Sequence, residues 1–286
     1  MSDPALVPPL TARTIAILMH ERQAAVKRDY LVDMFADFWR EDGHRVVYLQ
    51  GVKEFVPADV LIVHIDLSVV PDEYLEFARR YPAVLNGDVK DIRKSTYSRL
   101  LLHRGDAYEK PVIVKSNLNY AGLPERVLGL APPQGSNPRF RSPLDYRIYP
   151  GLQAVPAWIF DDPDLVVERF LPEFSGGEYH MRAMGFLGDS YSCLQMTSKF
   201  PIVNGSSIIR VAEVEPHPDI IAIKRATRFD YGKFDYVIHE GQAYLLDMNK
   251  TVGKPAPTDD AEVQAGRRKR ARELYRYFTP DPAASS

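Results

Sequence analysis

Asp235, Asp247 and Asn249 carry oxygen atoms of the kind that bind hard cations, and their spacing can bring them together. They lie in a stretch where an apolar run, the pair Glu240-Gly241 and a second apolar run read as a β-hairpin. A three-residue loop with Gly241 in the left-handed region would set Asp235 opposite Asp247. Directly opposed residues have Cβ atoms about 5 Å apart. Asn249 then shares the face of Asp247, because side chains alternate along a strand. A two-residue turn would instead set Asp235 against Leu246 and separate the carboxylates. Two carboxylates and an amide oxygen suit Mg²⁺, which keeps waters and also binds substrate phosphates.

Cations stand upstream. Lys115 closes the β-branched run KPVIVK, and Lys94 sits in IRKSTYSRLLL, which reads as an amphipathic helix. A lysine at the end of a buried strand ordinarily snorkels to solvent. Between Lys115 and Arg126, Asn117, Asn119 and Gly122 make a turn able to lay backbone N–H groups on anionic oxygens. Glu178, His180 and Arg182 alternate onto one strand face, which reads as cleft rather than core. Lys199 ends the next strand. Arg139, Arg141, Tyr146 and Arg147 lie in an irregular Pro- and Arg-rich segment, 131–156, and suit either an anionic substrate or a plain surface.

The elements that must position these groups follow from periodicity. TIAILM at 14–19, residues 45–49, DVLIVH at 59–64 and residues 83–85 read as strands. Leu31, Met34, Phe35 and Phe38 repeat at helical spacing up to Gly43, and 71–80 is helical with Pro71 in its first turn. Strands alternating with helices predict a parallel, doubly wound sheet for 14–90. No G-x-G-x-x-G accompanies it, so a dinucleotide site there is not supported. Beyond residue 90, strands at 110–115, 165–171, 178–186 and 191–199, a helix at 220–229 and the final hairpin predict an antiparallel α+β body. A last helix, 260–278, carries Arg267, Arg268, Lys269, Arg270 and Arg272, read as a solvated face.

The chain has 286 residues, 45% hydrophobic and 26% charged, with a net charge of −2, so composition gives no basic field that would draw nucleic acid. One cysteine, Cys193, excludes an internal disulfide framework, fits a reducing cytoplasm and reads as a buried inert thiol. No apolar run is long enough for a membrane span, and residues 1–13 read as a disordered tail.

Taken in order, these motifs resemble the ATP-grasp superfamily, especially the branch of ribosomal protein S6 glutamate ligase and glutathione synthetase. The most specific match is GKFDYVIHEGQAYLLDMNKT. The resemblance implies an α/β plus α+β architecture: a Rossmann-like pre-ATP-grasp domain at 14–90, then a small lobe at 91–171 and a large lobe with the C-terminal helix at 172–286. It implies ATP and Mg²⁺ (two ions, with Mn²⁺ an alternative) held by Asp235, Asp247 and Asn249. Lys94 and Lys115, with the turn at Asn117 and Gly122, would meet phosphates. Glu168, Arg169, Phe170 and Leu171 would hold adenine. Glu178 and His180 would lie near ribose, with Glu173 a competitor, and Arg182 and Lys199 would be catalytic. The implied activity is a carboxylate–amine or similar ligase acting through an acylphosphate on small-molecule or peptide substrates. A kinase and a non-catalytic ATP-binding module are the alternatives, and a homodimer is expected by analogy. The sequence departs from the family pattern in a short segment between the two lysines, in SNLNYAGLPE where a Gly-rich loop stands, and in Lys199 where many members have arginine.

Overall fold

The computed structural model describes residues 11–23, 29–130 and 145–278. Residues 1–10 of the tail expected at 1–13, and the residues Arg139 and Arg141, lie outside them. The first elements are β1 (Thr14–Met19), α1 (Leu31–Glu41), β2 (Arg45–Gln50), β3 (Val60–Val63), α2 (Asp72–Ala78) and β4 (Val84–Leu85). They build an all-parallel sheet in the order β2-β1-β3-β4. Alternation splits its apolar side chains into two layers. Ile15, Ile17, Val60 and Ile62 pack with Phe35 and Trp39 of α1. Ala16, Leu18, Leu61 and Val63 pack with Tyr74 and Leu75 of α2. A sheet covered on both faces needs such near-continuous apolar strands. Gly43, at φ +91°, ends α1 in the left-handed region that a side chain would resist.

The second group is α3 (Lys94–Tyr97), β5 (Leu101–Leu102), β6 (Val112–Ser116), α4 (Leu123–Val127), β7 (Arg147–Tyr149), α5 (Ala157–Phe160) and β8 (Leu165–Arg169). Its strands form an antiparallel sheet in the order β5-β8-β6-β7. Two expectations are corrected here. The helix read across IRKSTYSRLLL is a single turn, because Leu101 and Leu102 leave it to pair with Glu168 and Val167. Part of the segment expected to be irregular is strand, with Ile148 set against Ile113.

The third group is β9 (Glu173–Ser175), β10 (Glu178–Leu187), β11 (Ser190–Ser198), β12 (Ile208–Glu213), α6 (Pro218–Ala226), β13 (Tyr231–His239), β14 (Gln242–Asn249) and α7 (Ala261–Arg272). The strands make an antiparallel sheet, β12-β11-β10-β13-β14, with β9 beside β10. Helix α6 covers one face, where Met184, Phe186, Ile220, Phe234, Tyr236 and Met248 pack together.

Two devices tie the parallel sheet to this body. Buried Asn86 accepts from the N–H groups of Asp230 and Tyr231 and donates to the Tyr231 carbonyl. Helix α7 docks on α1, with Trp39 Nε1 donating to the Ala271 carbonyl at 2.7 Å. The basic run of α7 is therefore only partly a solvated face. Arg268 pairs with Glu41 and Asp42, and Arg272 pairs with Asp42 at the carboxyl end of α1. Among the described residues no helix is long and apolar enough to cross a membrane.

Candidate active site

The last hairpin brings Asp235 opposite Asp247, but not by the loop expected. Glu240 and Gly241 both have positive φ, 50° and 77°, and His239 pairs with Gln242. This is a two-residue turn of the mirror-image kind that suits the strand twist. Continued without interruption, it would set Asp235 against Leu246. Instead the register shifts between Asp235 and Tyr236: Tyr236 pairs with Leu245, and Asp235 with Asp247. Leu246 is the extra residue of a β-bulge, a device that re-aims side chains beside functional sites. Phe234, Tyr236, Leu245 and Met248 face the core under α6. Lys233, Asp235, Val237, Leu246, Asp247 and Asn249 face a cleft.

The cleft encloses about 450 Å³, within the range that holds a small ligand. Its other wall comes from the second sheet, through Ile113, Lys115, Arg169, Phe170 and Leu171, joined by Lys94 and Tyr146. Met181, Met196 and Ile208 add apolar surface from the large sheet. Glu168 does not line the cleft. It is fully buried, with Oε2 2.7 Å from Lys115 Nζ. Lys115 is buried as well, so it does not snorkel as a strand-end lysine ordinarily would.

Each hairpin carboxylate holds a lysine. Lys94 Nζ lies 2.9 Å from Asp247 Oδ1, its side chain only 2% exposed. Burial opposes the ammonium charge, yet the neighbouring Asp247 carboxylate keeps Lys94 well above its ordinary value. Lys233 Nζ lies 2.8 Å from Asp235 Oδ2. Burial raises Asp235, the Lys233 charge opposes that rise, and the Asp247 charge adds to it.

The donor set fits a cation shared with a ligand. Asp235 Oδ1 is buried without a hydrogen-bond partner. Asn249 Oδ1 already accepts from the Thr251 N–H at 2.8 Å. Among the described residues no group of three or more His, Cys, Asp or Glu could hold a metal alone. Mg²⁺ typically takes one or two carboxylates and completes its shell from phosphates and water, and Asp235 with Asp247 offers that pair.

Other expected site residues lie elsewhere. Arg182 is opposite Tyr236, whose hydroxyl contacts Cys193, so Glu178, His180 and Arg182 project to the face away from Asp235. Arg182 pairs with Glu173 at 2.6 Å, and Glu173 in turn touches the cleft and accepts from the Ile238 N–H. Glu178 pairs with Lys199 and Arg210. His180 is held between the hydroxyls of Ser175 and Thr197, at the cleft edge. Asn117 is buried outside the cleft. Its Oδ1 accepts from the Ser95 N–H, its carbonyl accepts from the Lys94 N–H, and its Nδ2 donates to the Pro163 carbonyl. It fixes the turn that bears Lys94. Gly122, at φ +69°, caps α4, where a Cβ would sit 2.8 Å from Leu118. Asn119 and Tyr120 reach the cleft from that loop instead. Lys233 was not singled out in the sequence, although its place two residues before Asp235 puts it on the same face.

A second polar cluster lies at the carboxyl ends of the parallel strands. His64 and Lys250 are buried with no partner for the ring nitrogens or Nζ. Burial drops Lys250 to about 7 and, with the Lys250 charge adding to it, drops His64 to about 3. Asp66 accepts from the hydroxyls of Tyr30 and Thr251.

Solved structures similar to this chain include the RimK domain ATP-grasp protein from Sphaerobacter thermophilus, 11% identical, TM-score 0.49, covering 93% of this chain and 99% of that one. D-alanine–D-alanine ligase from Bacillus anthracis, complexed with ATP, is 10% identical, TM-score 0.46, covering 93% and 96%. The ATP-grasp ligase PsnB, complexed with minimal precursor, Mg and ADP, is 10% identical, TM-score 0.47, covering 93% and 97%. No protein-family model and no curated protein matches the chain.

Proposed function

We propose that this chain is an ATP-dependent ligase that joins a carboxylate to an amine or similar nucleophile through an acylphosphate, using Mg²⁺ and ATP. The observation that carries the reading is the pair Asp235 and Asp247, opposed across one hairpin, each on a lysine, at the base of a cleft with an apolar wall. Residues 91–171 and 172–286 act as two lobes around that cleft, and 14–90 as a preceding domain. Ile113, Phe170, Leu171 and Met181 form the slot for an adenine ring. Lys94 and Lys115 place fixed positive charge where phosphoryl transfer builds negative charge. Asp235, Asp247 and Asn249 would hold Mg²⁺, which when bound would neutralise phosphate charge. Arg182 acts on the cleft through Glu173 rather than by contact, and Lys199 stays outside.

Product analysis tests this. The full chain, given Mg²⁺, ATP and a panel of carboxylates with amines or peptides, is expected to release ADP and phosphate together with a joined product seen by mass spectrometry. A phosphorylated product without phosphate release would make it a kinase. Nucleotide binding without turnover across the panel would make it a binding module.

A further inference from the structure

The chain that leaves the last hairpin after Asn249 is tied to the amino-terminal sheet. Tyr30 bridges to Gly253, the Leu31 N–H donates to the Val252 carbonyl at 2.8 Å, and the Lys254 N–H donates to the Asp29 carbonyl at 2.9 Å. Between these ties and the cleft stands Thr251. Its N–H donates to Asn249 Oδ1 at 2.8 Å. An amide oxygen has two lone pairs, so this bond orients the Asn249 side chain and leaves the second lone pair for a cation.

The Thr251 hydroxyl is where the amino-terminal sheet reaches that bond. Oγ1 lies 2.6 Å from Asp66 Oδ1 and 3.4 Å from Asn249 Oδ1. A hydroxyl carries one proton, and the nearer carboxylate takes it. Asp66 stands three residues beyond β3 and is fixed in turn. Its Oδ2 accepts from the Tyr30 hydroxyl at 2.8 Å, and that hydroxyl accepts from Gln23 Nε2 at 3.1 Å. Asp66, Tyr30 and Thr251 are all buried, so water does not compete for these bonds.

We propose that Asp66 is a positioning residue for the cation at Asp235, Asp247 and Asn249: it fixes Thr251, and Thr251 fixes the amide of Asn249. This rests on the nucleotide reading above. The amino-terminal sheet then helps to build the metal site, although none of its side chains reaches the cation. Loss of a group that orients a metal ligand typically costs about 10–100-fold in affinity. Asp66 acts one residue further out, which sets the expected effect at the lower end.

The test is calorimetric titration of the full chain with AMPPNP, without and with Mg²⁺. The ratio of the two Kd values measures what the cation adds. Asp66→Leu is expected to lower that ratio about tenfold, with the Kd in the absence of Mg²⁺ unchanged. Thr251→Val keeps the shape of the side chain and loses only the hydroxyl. It is expected to act in the same way, and it covers the case in which Asp66→Leu fails to fold. Thr251→Ser, which retains the hydroxyl, is expected to keep the wild-type ratio. A wild-type ratio in folded Thr251→Val would overturn the proposal. So would an equal weakening of AMPPNP with and without Mg²⁺, the result that mere loss of packing gives. A folded wild-type chain that binds no AMPPNP, or binds it without response to Mg²⁺, would instead overturn the nucleotide and metal site itself, and this proposal with it.

Discussion

Asp247→Asn separates the chemistry of the cleft from its architecture. The amide keeps the shape of the side chain and an oxygen that can accept from Lys94 Nζ, now 2.9 Å from Asp247 Oδ1. What is lost is the negative charge. Removing one partner of a fully buried pair costs about 3–5 kcal/mol. Lys94 is 2% exposed but Asp247 is 27% exposed, and the acceptor survives, so the expected loss of stability is about 1–3 kcal/mol. Most of that arises from the Lys94 ammonium left beside a neutral group. In a double-mutant cycle with Lys94→Met, the two losses should therefore fail to add. Activity should fall much further. Loss of one preorganised electrostatic element costs about 10²–10³ in rate, roughly 3–4 kcal/mol. The assays are urea unfolding for stability, and calorimetric titration of ATP with and without Mg²⁺ for the site. The expected result is a folded protein whose ATP affinity no longer responds to Mg²⁺. An Asp247→Asn chain with undiminished Mg²⁺-dependent ATP affinity would refute the assignment.

Two further predictions concern pH. His64 is held neutral in the folded chain down to about pH 3, whereas the unfolded chain takes up a proton near 6.5. Stability is therefore lost as pH falls below 6.5, by roughly 2 kcal/mol between pH 6.5 and 5. That part of the slope should vanish in His64→Leu when unfolding is measured at both pH values, and an equal loss in both chains would contradict it. Asp42 is lowered from 3.8 to about 2, chiefly by its hydrogen bond from Arg272, against burial. Its contribution is present above pH 3.8 and is lost as pH falls through 2. Asp42→Asn should cost about 2 kcal/mol at pH 7, with the deficit shrinking in acid, and a pH-independent deficit would exclude the ion pair as its source.

The sequence by itself determined which residues share a strand face. The apolar runs at 14–19 and 59–64 also announced a sheet covered on both sides, because these signals are local and follow from period. Only the tertiary structure decided which face looks inward. Glu178, His180 and Arg182 do alternate together, yet the pairing of Arg182 with Tyr236 turns Glu178 and Arg182 away from the cleft and leaves His180 at its edge. The meeting of Asp235 and Asp247 likewise depended on a bulge at Leu246, which compensates a two-residue turn by one residue. Lys94 and Lys115 read as ordinary solvent-seeking lysines, and their burial comes from Asp247, 153 residues from Lys94, and from Glu168 on a neighbouring strand. Periodicity describes one segment at a time. Which carboxylate stands beside a buried ammonium depends on how separate segments pack, and no local pattern carries that.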